Sequence, residues 1–143
     1  METNRKMSRN PIVKSFRELG VYKQNRAASL RLYDRTKVFP KAEQFALTDQ
    51  VRRASRAVGA MIAEAWGRRR YRNVFVNKID EALGESNEVR AWLDSAVDCG
   101  MLKPAEYEEF DSAYESIGAK LSRMIDAADS FCKNAADTDY RQH

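Results

Sequence analysis

Gln50 to Arg72 reads QVRRASRAVGAMIAEAWGRRRYR, an apolar helical stripe that runs into a cluster of arginines. With Leu47 just ahead of it, the positions Leu47, Val51, Ala54, Val58, Met61 and Ala65 step by 4, 3, 4, 3 and 4. That is the seam of a helix packed against other helices. The spacing predicts a helix that runs to about Arg69, with Gly67 and Arg68-Arg69-Arg70 at its C-terminal end, where cations favour the negative pole of the helix dipole. A short turn near Arg70 to Arg72 follows.

Downstream, Phe75, Ile79, Ala82, Ser86, Val89, Leu93 and Ala96 repeat the seam and predict a helix over about Asn73 to Cys99, stopped by Gly100. After Lys103-Pro104 the positions Tyr107, Phe110, Tyr114, Ile117, Leu121, Met124, Ala128 and Phe131 alternate steps of 3 and 4 without a fault. Upstream, Phe16, Leu19, Tyr22, Leu30 and Tyr33, with Ala27 between them, fit one face of a helix over Phe16 to Thr36. Val38-Phe39-Pro40 ends it, because the residue before a proline is pushed out of helical geometry and the proline can open the next helix. Four amphipathic helices on short connections predict an all-α, up-down-up-down antiparallel four-helix bundle. Residues 15–133 form that domain, residues 1–14 a flexible basic arm with Arg5, Lys6, Arg9 and Lys14, and residues 134–143 a frayed polar tail.

At 143 residues the chain is long enough for one core. No apolar run approaches the ~18 residues of a membrane span, and METNRKMSRNP has no apolar segment behind it, so no membrane association and a cytoplasmic location are expected. Cys99 and Cys132 have no metal-ligand or redox spacing and read as ordinary thiols.

His143 is the only histidine, which removes di-iron carboxylate sites, the common zinc sites and histidine-activated nucleophiles. No glycine-rich phosphate loop occurs. No metal, no cofactor and no enzymatic activity are expected. Ser55 and Ser86 read as small packing or surface residues.

Charge is more informative. The net +4 hides an asymmetry: residues 1–79 hold 19 Lys and Arg against 6 Asp and Glu, a net +13, and residues 80–143 hold 6 against 15, a net −9. Such a split suits a polyanion partner for the basic half, or head-to-tail contact between copies. Arg68, Arg69, Arg70 and Arg72 are interleaved with Trp66 and Tyr71, and Arg52 and Arg56 step by 4 on the same helix. Guanidinium groups grip phosphates in bidentate fashion and aromatic rings stack on unpaired bases, so these eight residues form a candidate nucleic-acid surface. The competing reading is a helix terminus and a solvated face. Glu81, Glu85 and Glu88 step along the third helix beside Trp92. Antiparallel neighbours lie at equal distances from a turn centred near Arg70, which sets Arg53 within one position of the residue facing Glu88. An Arg53–Glu88 ion pair beside the apolar seam is therefore predicted, with both charges partly desolvated and the register of the two helices set by it.

The stretches FRELGVYKQNRAASLRLYDRT, FPKAEQFALTDQVRRASRAVGAMIAEA and FVNKIDEALGESNEVRAWLDSAVDCGML resemble the 23S rRNA intervening-sequence proteins, from Phe16 to about Ile125. The most specific pieces are Phe39-Pro40, Gln50-Val51-Arg52-Arg53-Ala54, Ile62-Ala63-Glu64 and Ala82-x-Gly84 followed by Glu88. Where the family has Asn-Ile-Ala-Glu-Gly this chain has Met61-Ile62-Ala63-Glu64-Ala65, and where it has Gly-Ser this chain has Gly84-Glu85. The resemblance implies a bacterial helical bundle that assembles into homo-oligomeric rings, commonly pentamers. It also implies a fold similar to the accessory variability protein that partners the reverse transcriptase of diversity-generating retroelements. RNA is thus the favoured nucleic-acid partner, and a reverse transcriptase the alternative protein partner.

Overall fold

Four long helices carry the chain in a computed structural model that describes residues 13–132: α1 Gly20–Thr36, α2 Asp49–Gly67, α3 Arg72–Asp98 and α4 Pro104–Asp126. The predicted arm, apart from Val13 and Lys14, and the predicted tail lie outside the described residues. No strand occurs among the described residues.

Each helix starts or stops for a local reason. After α3, Gly100 takes φ 78°. Its N–H donates to Val97 O at 3.1 Å while Met101 N–H donates to Ala96 O at 2.8 Å, so two carbonyls left open at the helix end are satisfied by a left-handed residue that only glycine adopts cheaply. Pro104 opens α4, and the Glu106 carboxylate turns back to accept from Lys103 N–H at 2.9 Å. Between α1 and α2, Pro40 leads into a 3-10 turn over Lys41–Glu43 and then a π-helical turn over Gln44–Thr48. The regular helix therefore begins at Asp49, later than the sequence suggests, and the wide turn lets Leu47 and Thr48 both face inward.

The core follows the seams. All seven predicted positions of α3 are buried, as are Phe110, Tyr114, Ile117, Leu121, Met124 and Ala128 toward the C-terminus. Tyr107 and Phe131 are half-buried. On α2 the inward residue at one turn is Ile62, with Met61 half-buried beside it, because the stripe drifts around a helix of 3.6 residues per turn. That helix ends at Gly67, two residues before the predicted limit. α2 packs on α3, α3 on α4, and α1 on both α2 and α4. Lys78 lies 3.4 Å from Glu64 and Arg53 2.9 Å from Glu88, so residue numbers rise on α3 as they fall on α2.

α1 departs from its predicted face. Its buried residues are Val21, Asn25, Ala28, Leu32 and Thr36, with Leu19 just before the helix, whereas Ala27, Leu30 and Tyr33 are exposed. The reason is a polar layer inside the core. Asn25 Nδ2 donates to Ser55 O at 3.0 Å, the Ser29 and Ser55 hydroxyls lie 3.0 Å apart, and Thr36 Oγ1 donates to Leu32 O at 2.8 Å. Gly59 makes room for this layer, since a Cβ there would sit 3.2 Å from Asn25 Nδ2. Side-chain bonds then fasten α1 to the rest. Arg35 grips Glu106 through Nε at 2.8 Å and Nη2 at 3.0 Å, and Lys120 reaches Gln24 at 2.8 Å.

Candidate nucleic-acid interface

The arginines of α2 fall into two groups separated by most of the helix. Arg56 precedes Arg68 by twelve residues, roughly 18 Å at 1.5 Å per residue.

At the C-terminal end, Arg68 and Arg70 are exposed, and Tyr71 is exposed beside them with Arg70 Cζ 5.5 Å from its ring centre. Arg69 behaves differently. Its Nε donates to Trp66 O at 2.8 Å, closing a helix-terminal carbonyl, and its guanidinium lies 3.6 Å from the Trp66 ring centre. Burial there lowers its pKa from the ordinary arginine value. Trp66 is thus half-buried, with the Arg69 guanidinium lying over its ring. Arg72 is engaged as well, its Nε donating to Asp129 from the segment after α4. Phe75 stacks on Phe131 with centres 5.5 Å apart and holds that segment against the turn.

Cys132 is buried in the same region, and desolvation pushes its thiol above the ordinary pKa; Cys99 is exposed, and neither forms a disulfide. Among the described residues no His/Cys/Asp/Glu cluster could hold a metal ion.

In the first turn of α2, Arg52 donates through Nε to Thr36 Oγ1 at 2.8 Å and through Nη2 to Tyr33 O at 3.3 Å, with its Cζ 4.6 Å from the Tyr33 ring centre. It is a tether between α1 and α2, with its Nε and one Nη2 hydrogen bond made within the chain. Arg56 is exposed, 5.6 Å from the same ring, and Lys37 approaches the ring at 5.0 Å. Between α1 and α2 an open groove of about 610 Å³ runs past Tyr33, Leu30, Arg26 and Tyr22 on one side and Arg56, Ala60 and Ala63 on the other. Arg26, Tyr22 and Tyr33 line this groove, and the sequence reading assigns none of them to a candidate site. Their positions i, i+4 and i+11 on the outward face of α1 are a visible signal, obscured because the same face looked like the core strip.

Arg53 faces the acidic stripe of α3. Its Nη2 lies 2.9 Å from Glu88 Oε2 and its Nη1 4.0 Å from Glu85 Oε1. Glu88 also accepts from Trp92 Nε1 at 3.1 Å. The pair is less desolvated than expected: the Arg53 side chain is 55% exposed, because it reaches outward past the seam, and Glu85 is the most covered of the three groups at 26%. Burial, then the nearby Glu88 carboxylate, raise the Glu85 pKa above its ordinary value, and Arg53 opposes the rise.

A crystal structure of a protein of unknown function from the S23 ribosomal protein family of Bacteroides thetaiotaomicron superposes with a TM-score of 0.67 at 24% identity, covering 74% of this chain and 95% of that one. At that identity it speaks for the fold. No curated protein matches. The family model described as "23S rRNA-intervening sequence protein" matches residues 17–123, most of the chain. The chain therefore belongs to the 23S rRNA-intervening sequence protein family.

Proposed function

We propose that this protein is a non-enzymatic, up-down-up-down four-helix bundle that binds RNA through its basic half and assembles into a homo-oligomeric ring. The observation that carries the binding is the exposed group Arg68, Arg70 and Tyr71 at the end of α2, set on a terminus stiffened by the Arg69–Trp66 stack. Guanidinium groups there can meet successive phosphates while Tyr71 meets a base. The same terminus belongs to the half of the sequence with a net +13. Separation of that half from the −9 half also suits heterologous contact between copies, which closes into a ring when the rotation permits.

The test is an electrophoretic shift with RNA over a salt series, comparing the parent with Arg68→Glu/Arg70→Glu and leaving Arg69 in place to hold Trp66. Each lost phosphate contact on a single strand lowers the slope of log affinity against log salt by about 0.7. The double variant should therefore flatten the slope by about 1.4 and weaken binding at least tenfold at low salt. Unchanged binding would end the proposal for this surface. A monomer by light scattering at micromolar concentration in modest salt would end the ring.

A further inference from the structure

We infer that the groove between α1 and α2 is a second RNA contact that takes unpaired bases, which makes the protein prefer single-stranded over duplex RNA. This rests on the RNA reading above and assigns a part of the strand to a part of the surface. Three observations support it. The cavity, about 610 Å³, falls within the roughly 300–1,000 Å³ of sites that enclose small ligands, so it has room for flat groups. Its apolar lining comes from Tyr22, Leu30 and Tyr33 on α1 facing Ala60 and Ala63 on α2, and Leu30 is 61% exposed among the described residues. No carboxylate lines it among the described residues. Among the described residues no ion pair joins Arg26 or Arg56 to a carboxylate, and Arg56 lies 5.6 Å from the Tyr33 ring centre, so this lining carries positive charge.

Charge therefore selects an anionic occupant and the floor selects one with flat apolar surface. Single-stranded nucleic acid has both, with phosphates for the arginines and bases for the rings. A duplex keeps its bases stacked inside and offers the groove nothing but phosphate. Arg52 prepares the site by fixing Tyr33 through Thr36, so less side-chain freedom is lost on binding. Ala63 and Arg68, the residue that follows the last turn of α2, are five residues apart, roughly 8 Å along the helix axis, a separation a few nucleotides span.

The experiment measures anisotropy of a labelled unstructured RNA, alone and annealed to its complement, against the parent and two variants whose folding is checked by circular dichroism. Ala60→Leu/Ala63→Leu fills the groove from a helix that tolerates leucine, and Arg26→Gln/Arg56→Gln removes its charge without filling it. The parent should bind the single strand at least tenfold tighter than the duplex. Each groove variant should lose at least fivefold on the single strand and keep its duplex affinity, whereas Arg68→Glu/Arg70→Glu should weaken both. If the parent binds neither RNA, the proposed function itself fails. If it binds both but the groove variants match the parent, only the groove inference is overturned. It is likewise overturned if the variants change the assembly mass while RNA affinity stays constant, since the groove is then a contact between copies.

Discussion

Replacing Arg53 with alanine should destabilise the protein more at pH 7 than at pH 3.5, because the guanidinium separates two carboxylates that would otherwise face each other. At pH 7 Arg53 lies 2.9 Å from Glu88 and 4.0 Å from Glu85. Opposite charges 4 Å apart gain about 1 kcal/mol in water and about 4 at an effective dielectric constant of 20. With the Arg53 side chain 55% exposed, the water end of that range applies. The exposed-pair scale then gives a loss of about 1–2 kcal/mol at pH 7 for both contacts together. The sign with pH follows from Glu85. Its folded pKa is raised, so its contribution to stability is full below the ordinary carboxylate pKa and is lost as pH rises through the folded value. Arg53 limits that loss, and its removal enlarges it. At pH 3.5, below the raised Glu85 pKa, that carboxyl is protonated and the cost should shrink. Urea unfolding at the two pH values reads the difference, and Arg53→Ala/Glu85→Gln should recover about half of the pH 7 loss by removing the like charge. Equal costs at both pH values, or no recovery in the double variant, would refute the reasoning.

Glu106 supplies the opposite sign. The Arg35 hydrogen bond, then the Lys103 N–H, hold its carboxyl at about 2, so its contribution is present above the ordinary carboxylate range and is lost as pH falls through that value. Because a third of the side chain is exposed, Glu106→Gln should cost about 1 kcal/mol at pH 7 in urea unfolding, a cost that shrinks as pH falls toward 2. The buried Tyr114 hydroxyl lies near the Ser55 side chain but makes no hydrogen bond of ordinary geometry, and its burial raises its pKa, an effect Ser55 opposes. Tyr114→Phe should therefore be neutral or stabilising by up to about 1 kcal/mol, and a loss above about 1.5 kcal/mol in the same assay would mean the hydroxyl is satisfied after all.

The seams of α3 and α4 were legible because each core position carries an apolar or small residue at the helical period. α1 was not, since its inward strip includes Asn25 and Thr36, while Leu30 and Tyr33 decorate its outside. A polar residue is buried only when a partner satisfies it, and for Asn25 the partner is the Ser55 carbonyl, thirty residues along the chain. The same limit applies to the arginines. Composition exposes the cluster, but that Arg72 meets Asp129 and Arg69 lies on Trp66 depends on contacts outside any one period. The closeness of Arg53 and Glu88 was readable because hairpin arithmetic needs only the position of the turn.

The polar strip of α1 also bears on which part of the molecule opens first. α2, α3 and α4 follow one another through short connections and share the largest buried side chains, Phe75, Ile79, Tyr114 and Ile117 among them. α1 joins them over a thinner contact that mixes three aliphatic residues with Asn25 and Thr36, and much of its hold comes from the half-exposed Arg35–Glu106 and Lys120–Gln24 bonds. Water can replace such bonds one at a time, whereas a dry apolar contact is surrendered whole. The free energy of partial opening is therefore lowest at α1, and the chain has a native-like excursion in which three helices stay packed while the first lifts away.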